Sequence, residues 1–127
     1  NAEAKTAHNS GLNLTIAFNY GAQGEIVRAV RRIAAQAAAG KLDPTKIDEG
    51  VLEDNLDTAG LPAPDLIVRT SGEQRMSNFL LWQAAYAELV FLDILWPDFD
   101  KAALERAIGE YRRRDRRFGG AEFATPG

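Results

Sequence analysis

The sequence predicts an α/β fold, a mostly parallel sheet flanked by helices. Short β-rich apolar runs alternate along the chain with longer segments whose apolar residues recur at helical spacing. Turn residues separate them, most plainly Gly60-Leu61-Pro62-Ala63-Pro64, which forces an extended connection. The run at residues 65–68 ends on Arg69 and opens at once into a small polar loop, and the carboxyl ends of strands are where open α/β sheets hold their ligands.

Taken in order, residues 12–18 are apolar and β-rich enough for a central strand. Residues 22–39 predict a helix, with Ile26, Val27, Val30, Ile33, Ala34 and Ala37 on the apolar face, Arg28, Arg31, Arg32 and Gln36 on the remaining arc, and Gly40 as the stop. A second helix is expected over residues 48–58, burying Val51, Leu52 and Leu56. The second strand is residues 65–68 and a third is residues 89–92, with a further helix between the polar loop and that third strand. A last helix starts from an Asp100 cap and runs through Leu104, Ile108 and Tyr111. A 127-residue chain with 46% hydrophobic residues can bury one core. Three strands buried on both faces would leave open edges, so the sheet is expected to be incomplete within this chain. No repeat, low-complexity tract or linker interrupts it, and residues 121–127 read as a loose tail.

The chemistry concentrates at Arg69-Thr70-Ser71-Gly72-Glu73-Gln74-Arg75-Met76-Ser77. Arginine presents a rigid fork of donors that matches phosphate oxygens, and Thr70, Ser71, Ser77 and the amides around Gly72 add neutral donors. The ordinary alternative is that Arg69 and Arg75 pair with carboxylates such as Glu73 or Glu88. The segment that follows is strongly apolar, and Glu88 is its only acid before Asp93. A carboxylate in such surroundings needs a cation, a proton or a hydrogen-bonding partner.

Other functions are disfavoured. Arg112-Arg113-Arg114-Asp115-Arg116-Arg117 suggests nucleic-acid binding, yet the net charge is -3 and no aromatic residues interleave with these arginines to stack on bases. His8 stands alone and cysteine is absent, so there is no case for a zinc site. Gln83, Glu88 and Asp93 argue against a membrane span over residues 79–96.

These residues resemble the cis-prenyltransferases, the family of undecaprenyl diphosphate synthase. The likeness runs from Asn19-Tyr20-Gly21 through Arg69-Thr70-Ser71-Gly72-Glu73-Gln74-Arg75-Met76-Ser77-Asn78-Phe79-Leu80-Leu81-Trp82-Gln83, then Tyr86-Ala87-Glu88, Leu95-Trp96-Pro97-Asp98-Phe99 and Arg116-Arg117-Phe118-Gly119-Gly120. It implies an undecaprenyl diphosphate synthase-like fold and a transferase of isoprenoid biosynthesis. Such an enzyme condenses isopentenyl diphosphate with an allylic diphosphate, such as farnesyl diphosphate, to give cis-polyprenyl diphosphate; the bacterial product is most commonly undecaprenyl diphosphate, the cell-wall lipid carrier. By resemblance, Arg69, Arg75, Met76 and Ser77 bind substrate, Glu88 is a Mg2+ ligand, and Arg117 and Gly119 reach across a homodimer toward the partner's diphosphate. Gln74 stands where some members carry a histidine beside the metal.

The family's string Asp-Gly-Asn-Gly-Arg-Trp-Ala, whose aspartate is catalytic, does not occur in this sequence. The resemblance therefore implies that residues 1–120 are the carboxyl-terminal half of one domain. The chain would be inactive without the amino-terminal half, and would be cytoplasmic, peripheral at the membrane through its lipid product, with no nucleic acid and no transmembrane span. The rival reading is a non-catalytic accessory subunit of a cis-prenyltransferase complex. Those relatives tend to lose the set Arg69, Arg75, Ser77 and Glu88, which this chain keeps.

Overall fold

A computed structural model describes residues 2–114. Its centre is a pair of parallel strands, β1 (Leu66–Arg69) and β2 (Glu88–Phe91), in the register Leu66 to Glu88 and Arg69 to Phe91. Val90 is wholly buried, worth about 1.5 to 3 kcal/mol for a side chain of that class. The helices are α1 (Ala2–Thr6), α2 (Ala22–Ala38), α3 (Glu49–Glu53) and α4 (Lys101–Arg112). Helix α4 packs on β2 and buries Ala103 and Ala107, small side chains that allow close approach.

Helix α2 matches the expected span to within a residue, and Gly40 ends it at φ 69°. The Lys41 amide donates to the Gln36 carbonyl at 2.9 Å and the Gly40 amide to Ala37 at 3.0 Å, the paired bonds of a glycine-terminated helix end. The buried face differs from the expected one. Ala22, Glu25, Ala29 and Ile33 are buried, whereas Val27 and Val30 are about half exposed. Ile33 belongs to the expected face, but otherwise burial falls on Ala22, Glu25 and Ala29 rather than on the larger apolar side chains Val27 and Val30.

The Asp100 side chain caps α4 by accepting from the Ala103 amide at 2.8 Å, as expected. Asp48 likewise caps α3 through the Val51 amide at 2.9 Å. That helix stops at Glu53, short of the expected residue 58. The Asn55 side chain donates to the Val51 carbonyl and competes with the helical backbone there.

Two expected elements do not form. Residues 12–18 make no strand, and Leu12, Leu14, Ile16 and Phe18 are 91%, 74%, 80% and 94% exposed. A strand is stable only beside a neighbour that completes its hydrogen bonds, and the two strands among the described residues pair with each other. The helix expected between the polar loop and β2 is instead a series of turns. Ser77, Asn78 and Leu80 adopt left-handed φ angles of 48°, 62° and 46°, which prevent a right-handed helix from propagating. No helix of the described residues is long and apolar enough to cross a membrane.

Candidate anion-binding site

Arg69 is the last residue of β1, and the sheet's hydrogen bonding continues past it into the loop. The Arg69 carbonyl accepts from the Leu92 amide at 2.8 Å, Ser71 donates to Ile94 at 2.7 Å, and Gly72 donates to Leu92 at 3.2 Å. Gly72 has φ 67°, and a Cβ there would meet Asp93 Oδ1 at 3.0 Å, so the turn needs glycine on both counts. The start of the loop is thereby fixed to the sheet.

Arg69, Arg75 and Met76 line one cavity of about 250 Å3, together with Ile67, Val68, Thr70 and Phe79. Arg69 Nη2 donates to Ser77 Oγ at 3.4 Å, which brings the fourth expected residue to the same place. The Nε of Arg69 is buried with no hydrogen-bond partner among the described residues. Arg69 also has no carboxylate partner among the described residues. Arg75 pairs with Glu73 at 2.5 Å, but its side chain is 69% exposed, and such an ion pair is worth about 0 to 1 kcal/mol. A phosphate could displace that carboxylate at small cost. The arrangement is one cation without a counter-ion among the described residues, a second held loosely, and neutral donors between them.

Glu88 lies elsewhere. It begins β2 opposite Leu66, three residues and roughly 10 Å along the parallel strands from the level of Arg69. Its counter-ion is Arg114, with Nη1 at 3.1 Å from Glu88 Oε2 and 2.7 Å from the Leu89 carbonyl. Arg114 also pairs with Glu110. The Glu88 hydrogen bond is the main influence raising the Arg114 guanidinium pKa. Of the partners expected for Glu88, a cation, a proton or a hydrogen-bonding group, the arginine run supplies a cation that also donates a hydrogen bond. No group of three or more candidate metal ligands occurs among the described residues. Arg117 and Gly119 fall outside the described residues.

Sequence reasoning missed a second polar cluster. Glu25 is completely buried in the first turn of α2. Its carboxylate accepts from the Tyr20 hydroxyl, from the Asp57 amide at 2.8 Å, and from Gln83 Nε2 at 3.2 and 3.3 Å. Gln83 donates also to Thr58 Oγ1 at 2.8 Å. Burial, followed by the Glu25 hydrogen bond, pushes the Tyr20 phenol up to about 12. The signal was present in the spacing: Glu25 falls between Ala22 and Ala29 on the stripe that the helix buries.

A seam joins this cluster to the loop. The Ala22 amide donates to the Asn78 carbonyl at 2.8 Å, and the Gln23 amide to Asn78 Oδ1 at 2.8 Å. The Tyr20 and Phe79 rings meet edge to face, with centroids 5.8 Å apart.

The family model described as putative undecaprenyl diphosphate synthase matches residues 1–119. The isoprenyl transferase of Brucella abortus biovar 1 (strain 9-941) is 61% identical over 121 residues, covering 95% of this chain and 48% of that protein. Isoprenyl transferase 2 of Bradyrhizobium diazoefficiens is 60% identical over 124 residues, 98% of this chain and 49% of its own length. Lavandulyl diphosphate synthase from Lavandula x intermedia, solved with dimethylallyl diphosphate, superposes with TM-score 0.90 at 44% identity, over 94% of this chain and 51% of that one. A probable undecaprenyl diphosphate synthase from Campylobacter jejuni gives TM-score 0.75 at 41% identity, over 93% of this chain and 52% of that one. The chain thus spans about half the length of the relatives it matches. With an α/β arrangement shared with cis-prenyltransferases, and a family match over nearly its whole length, this chain belongs to the undecaprenyl diphosphate synthase family of isoprenyl transferases.

Proposed function

We propose that residues 1–120 form the carboxyl-terminal half of a cis-prenyltransferase domain, followed by a tail at residues 121–127, and that this half holds the diphosphate of isopentenyl diphosphate. The observation that carries the reading is the Arg69 guanidinium, with a buried Nε that has no partner among the described residues, beside a cavity that Arg75 also lines. A buried donor without an acceptor is costly, and a diphosphate oxygen supplies the missing acceptor. Arg69 and Arg75 would bind the phosphate oxygens, Ser77 would add a hydroxyl donor, and Met76 would contact the substrate.

In the condensation, the allylic carbon–oxygen bond breaks, diphosphate departs with the electron pair, and an allylic carbocation-like centre develops. The double bond of isopentenyl diphosphate attacks that centre, and loss of a proton restores an alkene. Residues of this chain serve the nucleophile: holding its diphosphate fixes where the double bond sits, and such positioning can supply several kcal/mol of the barrier. The allylic diphosphate and the catalytic aspartate belong to the amino-terminal half in this reading. The product is a cis-polyprenyl diphosphate, with undecaprenyl diphosphate the leading choice.

Mg2+ fits in part. Glu88 offers a hard carboxylate oxygen, and the ion ordinarily takes one or two carboxylates with waters and substrate phosphates. Glu88 is held by Arg114 and stands at the opposite end of the strands from Arg69, so further ligands from outside the described residues would complete the shell. Bound there, Mg2+ would neutralise charge on a departing diphosphate. We further propose a homodimer, in which Arg117 and Gly119 approach the partner's diphosphate, and a cytoplasmic enzyme that meets the membrane through its product.

The test is Arg75→Ala and Arg69→Ala in the full-length enzyme. Either should raise KM for isopentenyl diphosphate at least tenfold, about 1.4 kcal/mol for a lost charge-assisted contact, and leave the allylic substrate's KM much less changed. Equal weakening of both substrates would remove the assignment.

A further inference from the structure

The loop that carries Ser77 is fixed to the sheet at its start, and its far end needs an equally firm anchor. Helix α2 provides it. The first amides of any helix lack an intrahelical acceptor, and the capping residue of α2 is Gly21, which has no side chain to offer. Both acceptors come instead from Asn78, more than fifty residues away. Its carbonyl takes the amide of Ala22, a residue with no solvent exposure, and its Oδ1 takes the amide of Gln23. Because an amide N–H can only donate, the Asn78 side chain must turn its oxygen to Gln23 and its nitrogen toward Gly21.

Three further features fit this arrangement. Asn78 sits at φ 62°, a conformation that asparagine tolerates far better than most residues. Gly21 is extended, at φ -152° and ψ 122°, so its backbone would accept any side chain. Yet a Cβ at Gly21 would lie 2.8 Å from Asn78 Nδ2, so an alanine there could fit only if the Asn78 amide swung away and released Gln23. Ser77 precedes Asn78, is itself left-handed, and places its hydroxyl on Arg69.

We propose that Asn78 is a positioning residue of the isopentenyl diphosphate site: by capping α2 from the loop, it sets where Ser77 and Arg75 stand relative to Arg69. The proposal rests on the function argued above. It assigns Asn78 no contact with substrate. It also gives Gly21 a reason to be glycine that is unrelated to backbone freedom.

The experiment is a double-mutant cycle in the full-length enzyme, with Asn78→Gly, Gly21→Ala, the double variant, and Arg75→Ala alongside. Glycine at 78 keeps the left-handed backbone and deletes only the side-chain cap. Asn78→Gly is expected to raise KM for isopentenyl diphosphate about five- to tenfold, with the allylic KM changed less than twofold. Gly21→Ala should raise the same constant to a similar extent. The double variant should be no worse than Asn78→Gly alone, because the group that clashes with alanine is gone. A fall in thermal midpoint with both KM values unchanged would make Asn78 merely structural and overturn the proposal. So would a double variant in which the two effects multiply. If Asn78→Gly does not fold, Gly21→Ala decides by itself, and an unchanged KM for isopentenyl diphosphate overturns the proposal. If Arg75→Ala raises that KM while Asn78→Gly does not, positioning alone fails. If Arg75→Ala also leaves it unchanged, the diphosphate assignment fails and takes this inference with it.

Discussion

Replacing Glu25 by alanine should destabilise the protein by about 3 to 4 kcal/mol, a large share of the 5 to 15 kcal/mol typical of a folded domain. The carboxylate accepts from three groups: the Tyr20 hydroxyl, the Asp57 amide and the Gln83 side chain. Hydrogen bonds to a charged acceptor are worth about 1.5 to 3 kcal/mol each. Against this stands the desolvation of a buried charge, which is several kcal/mol and is relieved by the substitution. The groups left behind fare unequally. Gln83 retains Thr58 and half-buried Tyr20 can turn to water, while the Asp57 amide loses the carboxylate it donates to. The lost methylenes add a cavity cost of about 1 kcal/mol. Glu25→Gln keeps the volume and one acceptor oxygen, and Tyr20 can rotate to accept from the new amide, so about 1 kcal/mol is expected. For chains of 150 to 250 residues each kcal/mol moves Tm by about 2 to 4 °C, so the alanine variant should melt roughly 10 °C low and the glutamine variant about 3 °C low. Calorimetry or chemical denaturation of the full-length protein reads this directly. An alanine cost below about 1 kcal/mol, or equal costs for the two variants, would refute a buried carboxylate held by three donors.

Glu88→Gln should keep the fold, shift the magnesium optimum upward and depress turnover; a magnesium titration that does not move, with a lowered Tm, would leave Glu88 only its Arg114 partner. Tyr20 has its phenol raised from 10.0 to about 12, so its protonated form is favoured by folding. Its contribution is complete below pH 10 and lost as pH climbs through 12, and Tyr20→Phe should flatten that part of a denaturation profile taken across alkaline pH. The 127-residue chain by itself should transfer no prenyl group and should self-associate through exposed Leu12, Leu14, Ile16 and Phe18, as sedimentation would show. Prenyl transfer by this chain alone would overturn the assignment of the catalytic aspartate to the other half, whereas activity on mixing the halves is the expected result.

Local signals were legible where they acted alone. Gly40 and Asp100 mark helix ends through bonds to their immediate neighbours, and both stand where their residue types suggested. That Arg69, Arg75, Met76 and Ser77 come together was legible because they lie close in sequence. What failed depended on distant partners. Residues 12–18 have strand composition, but composition cannot supply an adjacent strand. The turns after Ser77 replace a helix because Asn78 is bound to residues more than fifty positions earlier, and no local propensity encodes that. Glu25 carries no local sign of burial in its residue type, and the convergence of Tyr20, Asp57 and Gln83 makes its burial tolerable.

The candidate diphosphate loop is also the chain that connects the two parallel strands. Residues 70–87 carry the polypeptide from the end of β1 back to the start of β2, and their first amides extend the sheet's own hydrogen bonding. The sheet and the start of this connection share hydrogen bonds, so each helps to hold the other. A diphosphate bound there as proposed would therefore be linked thermodynamically to sheet formation. A diphosphate at a hundred times its dissociation constant would add about 2.7 kcal/mol to the stability of the folded state. If the loop holds isopentenyl diphosphate as proposed, that molecule would act on the protein before any chemistry occurs, holding the two strands together and protecting the loop from proteolysis. Starvation for isoprenoid precursors would then lower the amount of intact protein as well as its rate of turnover.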